Sequence, residues 1–203
     1  KLNDEVKNQF KNHYSLHAIS SGKNYLTFEI AKQFLTNFLN YEISELNKNK
    51  KIKIINLEQD ISCDHQIKEL PFRINLKGQI DRIDEVDGVL RIIDYKTGKV
   101  EQKNLKIKDW ELLITDEKYS KGFQVLMYAY MYAKVNQIDF ADNSLESGII
   151  SFKNLKSGFM KVNNTIITQE TIDNFLLQLD KLILEICNQK IPFKEKEILQ
   201  YKF

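Results

Sequence analysis

The sequence predicts an α/β fold, a mixed central β-sheet flanked by helices. Three observations carry that prediction. Residues 72–96 form two strand-like runs around Asp87-Gly88, a strong short-range hairpin signal. Dense apolar stretches at helical spacing lie on either side of that hairpin, at 23–46 and 121–136. A second short strand pair and a closing amphipathic helix follow. The order is helix, strand, strand, strand, helix, strand, then a hairpin strand and a helix, an arrangement that packs helices onto a sheet.

The elements follow in order. Positions 25, 28, 31, 34, 35, 38 and 39 are apolar, one stripe of a helix over 23–46, and the Lys-Asn run at 47–51 ends it. Residues 52–62 (IKIINLEQDIS) are rich in β-formers and read as a strand. From 72 to 80, apolar residues at 72, 74, 76 and 80 alternate with polar ones, a half-buried strand running into the hairpin. The lysine-rich connection from Gly98 to about 119 is roughly 20 residues, long for a structureless loop, so a short helix or a lid is expected there. Residues 121–136 (KGFQVLMYAYMYAKVN) form an apolar helix. Strands at 147–153 and 158–163 join through Lys156-Ser157-Gly158. Thr168 is the predicted N-cap of a last helix, with apolar positions 172, 175, 176, 179, 182, 183 and 186 and a stop at Pro192.

At 203 residues the chain is long enough to bury one real core. We expect a single domain over 1–203, its core at about 23–190, and from its mid-protein opening at Lys1 a fragment of a larger protein. Thirty basic against 28 acidic residues leave a net charge of +2. That balance neither demands nor excludes nucleic acid, because cations can be concentrated locally. Two cysteines, Cys63 and Cys187, exclude a disulfide scaffold or a four-cysteine site. No apolar run reaches the roughly 18 residues that span a bilayer, and no signal peptide opens the chain. A cytoplasmic protein without membrane partners is expected.

The hairpin carries the chemistry. With the turn centred on Asp87-Gly88, Val86 faces Val89, and counting outward places Asp81 opposite Asp94. Facing residues share one side of the sheet, and the period of two puts Lys96 on that side with Asp94. Like charges held face to face destabilise a sheet unless a proton is shared or a divalent cation sits between them. Two carboxylates suit Mg²⁺ or Mn²⁺, with the Tyr95 backbone carbonyl as a further oxygen ligand. A lysine beside the cation can position an attacking water. The hairpin by itself leaves two readings level: a metal site, or a surface coincidence in which Lys96 neutralises the pair. Asp84 and Arg91 face each other on the opposite side and read as a stabilising ion pair.

With Gly78, Asp81, Arg82 and Asp84 as G-x-x-D-R-x-D, and Asp94 to Gly98 as D-Y-K-T-G, the chain resembles the PD-(D/E)xK nuclease superfamily in its RecB/AddB branch. More narrowly it is similar to AddB-like nuclease regions at the C-terminal end of helicase-related proteins. The resemblance covers about residues 52–190 and implies a restriction-endonuclease-like core. It assigns Asp81, Asp94 and Lys96 to catalysis and Asp81, Asp94 and the Tyr95 carbonyl to the metal. The branch also carries Q-x-x-x-Y on the helix after D-x-K, matched here by Gln124 and Tyr128, which share one helix face and would shape the site and contact DNA. Glu58 is a weaker candidate, as a third acidic ligand or an outer-shell group. Lys99, Lys103, Lys106, Lys108, Lys118 and Lys121 either track a phosphate backbone or form a solvated polar loop, with Lys99 and Lys121 the favoured contacts.

The resemblance therefore implies a Mg²⁺-dependent (or Mn²⁺-dependent) deoxyribonuclease, an exonuclease rather than an endonuclease. Its DNA partner would be ends or single strands, within a recombination or break-repair helicase–nuclease whose helicase-type domains lie in the same parent or a partner subunit. The alternative is a nuclease-like fold retained as an inactive DNA-binding or assembly module; a small-phosphoester hydrolase is disfavoured because no Gly-rich phosphate cradle appears. Two departures matter. Ile80 stands where the superfamily's name has proline. The family's histidine, in a G-x-x-x-H-x-x-L-E context, matches neither His13 nor His17 and is expected before Lys1, which would leave the metal site incomplete here. Several relatives hold an iron–sulfur cluster through late cysteines; no cysteine follows Cys187 in this sequence, so no cluster is expected.

Overall fold

Asp87 and Gly88 take φ values of 52° and 86°, the doubly left-handed turn whose twist matches two antiparallel strands. The predicted hairpin forms around them. β2 (Ile74–Val86) and β3 (Val89–Lys96) run antiparallel, with Val86 opposite Val89 and Asp84 opposite Arg91. The computed structural model describes residues 2–13, 21–141 and 144–194. With β1 (Ile52–His65), β4 (Leu145–Ser151) and β5 (Phe159–Lys161), the hairpin makes a five-stranded sheet in the order β1-β2-β3-β4-β5. Only β3 and β4 pair in parallel. That step needs a crossover, which α3 (Ser120–Asn136) supplies.

Helices cover both faces. Under α3, Ile61, Ile80, Ile83 and Ile92 of the sheet meet Val125, Leu126 and Ala129, and α4 (Gln169–Cys187) adds Phe175, whose ring lies 5.4 Å from that of Phe123. The opposite face receives α2 (Gly22–Leu46), whose Phe38 ring sits 5.4 Å from Tyr95 and 5.5 Å from Phe152. α1 (Leu2–His13) docks on α2 with Phe10 edge-on to Phe28 at 5.2 Å. Among the described residues, no helix is long and apolar enough to cross a membrane.

Four local expectations are corrected. α1 was not anticipated: Leu2, Val6 and Phe10 make a stripe too short to stand out among asparagines and lysines. The first strand of the second pair begins and ends two residues earlier than 147–153, and the second is shorter than 158–163, because kinked 3₁₀ segments at Phe152–Ser157 and Val162–Asn164 replace their ends. Gly158, Asn163 and Asn164 all have positive φ there and leave the extended region. β1 continues past residue 62 to His65, which is buried. α4 stops at Cys187 with Asn188 as its C-cap, before Pro192 is reached, although Thr168 Oγ1 does cap its start by accepting from the Thr171 amide at 3.2 Å. The long connection after Gly98 contains two short 3₁₀ turns, Gln102–Leu105 and Glu117–Tyr119, as its length suggested.

Candidate active site

The β2–β3 ladder runs from Val86–Val89 to Arg82–Ile93 and ends one residue short of Asp81 and Asp94. The expected continuous ladder pairing of the two aspartates is therefore corrected: β4 pairs with β3 from Leu90 to Lys96, and Asp94, Tyr95 and Lys96 have that ladder partner alone. In place of a ladder bond, Asp81 Oδ2 accepts the Tyr95 backbone N–H at 2.7 Å. The carboxylate thus reaches over to β3 at the point where the strands part.

Asp94 is buried, 3% exposed. Burial pushes its carboxyl above the usual range; Lys96 opposes this, and the charge of Asp81 adds to it. The two aspartates therefore sense each other although the ladder does not pair them. Lys96 Nζ donates to Asp94 Oδ1 at 3.1 Å and lies 2.8 Å from Oδ2. Oδ2 itself is shut off from solvent and has no well-aligned hydrogen bond. A second bond ties Lys96 Nζ to Gln124 Oε1 at 2.9 Å, and Gln124 Nε2 donates to Tyr128 Oη at 3.1 Å. Tyr128 lies over Gly78, where a Cβ would come within 3.0 Å of its ring. The glycine three residues before Asp81 thus gives the tyrosine room against β2.

The structure brings together Asp81, Asp94, the Tyr95 backbone, Lys96, Gln124 and Tyr128. Other candidates stand apart. Glu58 is exposed, and among the described residues no three His, Cys, Asp or Glu side chains are grouped so as to hold a metal ion. Lys99 and Lys103 each pair with Glu101 at 2.6 Å, and Lys118 pairs with Asp116. Lys121 occupies the first turn of α3, one turn before Gln124. The Tyr95 ring points to the α2 side among Phe38 and Phe152, away from the face that holds Lys96 and Gln124, and Trp110 packs against the core. His65 is held at both nitrogens, Nδ1 by Tyr130 Oη at 2.7 Å and Nε2 by Asp180 at 2.6 Å, and staples β1 to α3 and α4. His17 and the side chain of His13 lie outside the described residues.

Behind the site, on the α2 face, Asp84 is completely buried. It accepts from Arg82 Nε at 2.7 Å and from Arg91 Nε and Nη2 at 2.7 and 2.8 Å. Arg82 Nη1 continues to Glu42 on α2 at 2.9 Å and to Tyr95 Oη at 3.3 Å. The Asp84–Arg91 pair is the one its cross-strand position suggested. Arg82 and Glu42 were missed, because no sequence pattern announces a contact across 40 positions between a strand and a helix.

The site thus joins a mixed sheet, an aspartate and a D-x-K element on neighbouring strands, and a helix whose glutamine bonds the lysine. The chain matches the PD-(D/E)XK nuclease superfamily over residues 1–197 and belongs to it. Membership implies nuclease activity, and nucleases of this superfamily typically use divalent metals. None of the curated proteins matches the chain. Among solved structures, "Crystal structure of SSO0001" is similar at 16% identity and a TM-score of 0.31, over 93% of this chain and 76% of that one.

Proposed function

We propose that this chain is a Mg²⁺- or Mn²⁺-dependent deoxyribonuclease domain of the RecB/AddB-like branch. Asp81 and Asp94 would hold the cation, with the Tyr95 carbonyl as a further ligand, and Lys96 would act on the attacking water. The single observation that carries the reading is the Asp94 carboxylate: buried, disfavoured as an anion by its burial and by the charge of Asp81, and met by one cation, Lys96, 2.8 Å from Oδ2. A buried carboxylate with a single ammonium partner and a further negative charge acting on it is relieved when another cation binds. Mg²⁺ is commonly held by one or two carboxylates plus water and substrate phosphate, which fits a site of two aspartates rather than a full acidic cage.

When bound, the cation supplies charge neutralisation at the scissile phosphate. The chain's own groups do the rest. Asp94 and Gln124 take two of the three protons on Lys96 Nζ, which leaves the third for a water or a phosphate oxygen. Gln124 is itself fixed by Tyr128, so the ammonium is aimed rather than free to swing. Lys121, one turn earlier on α3, would meet the phosphate backbone, and Lys99 would do so by exchanging its pairing with Glu101 for a phosphate. DNA ends or single strands are the substrate class, exonucleolytic attack the favoured mode, and a helicase–nuclease of break repair the favoured parent.

The test is digestion of linear single- and double-stranded DNA with and without Mg²⁺ or Mn²⁺, using Lys96→Ala as control. Removing a positioned proton donor lowers such rates by roughly 10²–10⁴-fold. Equal cleavage by wild type and variant would overturn the assignment of Lys96. DNA binding without cleavage at any metal concentration would favour the inactive module instead.

A further inference from the structure

Among the described residues, Glu58 is the only one inside a strand, glycine aside, with positive φ, at 50°. That region is strained for a side chain without the short polar reach of Asn or Asp. Its position in the sheet is specific. β1 and β2 pair at Leu57–Arg82 and again at Gln59–Ile80, leaving Glu58 and Asp81 opposite each other without a ladder pairing. The sheet also turns over at this point. Ile80 lies in the core under α3, whereas Arg82, two residues on, reaches Glu42 of α2. In a regular strand positions 80 and 82 would share a face. Ile83 then rejoins the core that holds Ile80, three positions away. The alternation of β2 is broken at Asp81, opposite the left-handed residue of β1.

This break is what frees Asp81. On one side the β1 ladder skips it, and on the other the β3 ladder stops at Arg82–Ile93. Its carboxylate can then lean across to the Tyr95 N–H and sit near Asp94. The Glu58 carboxylate, by contrast, is exposed and belongs to no metal-sized cluster. We propose that Glu58 is a positioning residue that acts through its left-handed backbone: it kinks the β1–β2 pair so that Asp81 leaves the ladder and faces the metal site. Irregularities of this kind beside active sites re-aim a side chain. The proposal rests on the functional reading above for the meaning of the site, but not for the geometry.

Three substitutions separate backbone from carboxylate. E58G and E58N remove the acid and keep easy access to positive φ, whereas E58V disfavours it strongly. Hydrogen exchange at the Tyr95 amide reads the Asp81 contact, calorimetric titration with Mn²⁺ reads the site, and linear-DNA digestion reads the activity. E58G and E58N are expected to keep Tyr95 protection and Mn²⁺ affinity within about twofold of wild type, and E58G to unfold at higher denaturant. E58V is expected to lose Tyr95 protection by roughly fivefold or more and Mn²⁺ affinity by about tenfold or more. Should E58V not fold, E58A replaces it, with the same losses in smaller degree. Loss of Mn²⁺ affinity in E58G and E58N as large as in E58V would overturn the proposal and make the carboxylate the working group. Full Tyr95 protection in E58V would overturn it as well. A wild-type chain that neither binds Mn²⁺ nor cuts DNA would sink the functional reading, while Tyr95 exchange would still decide the positioning.

Discussion

The two faces of one hairpin hold the same residue types and treat them oppositely. On the α2 face, Asp84 is fully buried, accepts three hydrogen bonds from two arginines, and Arg82 passes the charge on to Glu42. On the α3 face, Asp94 is almost as buried but accepts one hydrogen bond, and a second acid stands nearby. Two guanidinium groups answer Asp84, whereas Lys96 alone answers Asp94 against the charge of Asp81, so the second carboxylate has more to gain from a further cation. The difference separates the residues that hold the strands together from those available for chemistry, although both sets come from one 21-residue segment, 78–98.

The contrast is most severely tested on the Asp84 side. Asp84→Ala leaves two buried arginine contacts uncompensated, and breaking a buried network of this kind costs about 3–5 kcal/mol. A urea melt should show that loss, and a variant within about 0.5 kcal/mol of wild type would mean the network is dispensable. On the Asp94 side the sign reverses. Asp94→Asn removes a buried charge that burial and Asp81 already disfavour, so the metal-free protein should gain about 1 kcal/mol while cleavage is lost.

The pH dependence sharpens the same prediction. Because the carboxyl of Asp94 is raised in the folded state, the native protein holds its proton more tightly than the unfolded chain. Its contribution to stability is therefore greatest at low pH and falls as pH rises from the ordinary carboxylate range through the raised value. Thermal melts of the metal-free protein against pH should show that decline in wild type and a flatter curve in Asp94→Asn; identical curves would remove the claim. A smaller effect is expected one shell out. Gln124→Ala unties Lys96 without touching either carboxylate, so cleavage should drop by roughly tenfold with the unfolding midpoint unchanged. Tyr128→Phe, which deletes only the hydroxyl holding Gln124, should cost less still, and an effect equal to that of Gln124→Ala would mean that Tyr128 touches the substrate itself.

Much of this was legible before any coordinates, for local reasons. Asp87-Gly88 can adopt a turn that few other pairs can, so it dictated the register from Val86–Val89 outward. Gln124 and Tyr128 are one helical turn apart whatever else the fold does, and Thr168 caps a helix because its hydroxyl is next to the amide it serves. What was illegible involves distance along the chain. The partners of His65 are Tyr130 and Asp180, and that of Arg82 is Glu42; each contact needs two elements already docked. Counting outward from the turn also fails at Asp81, because a constant register predicts which residues face each other but not where the strands part.

The amino-acid sequence by itself determined the chemistry available: two aspartates and a lysine within reach of one hairpin, and a glutamine and tyrosine on the helix that follows. Turn geometry and strand periodicity act over a few residues, so they can be read from the order of residues alone. Only the tertiary structure decided that two arginines answer Asp84 while Lys96 alone answers Asp94. That outcome depends on which helix covers each face, and on the kink at Glu58, where the β1–β2 ladder skips Asp81. Burial and ladder competition are properties of the packed sheet, and they turn one acidic residue into a brace and its neighbour into a candidate metal ligand.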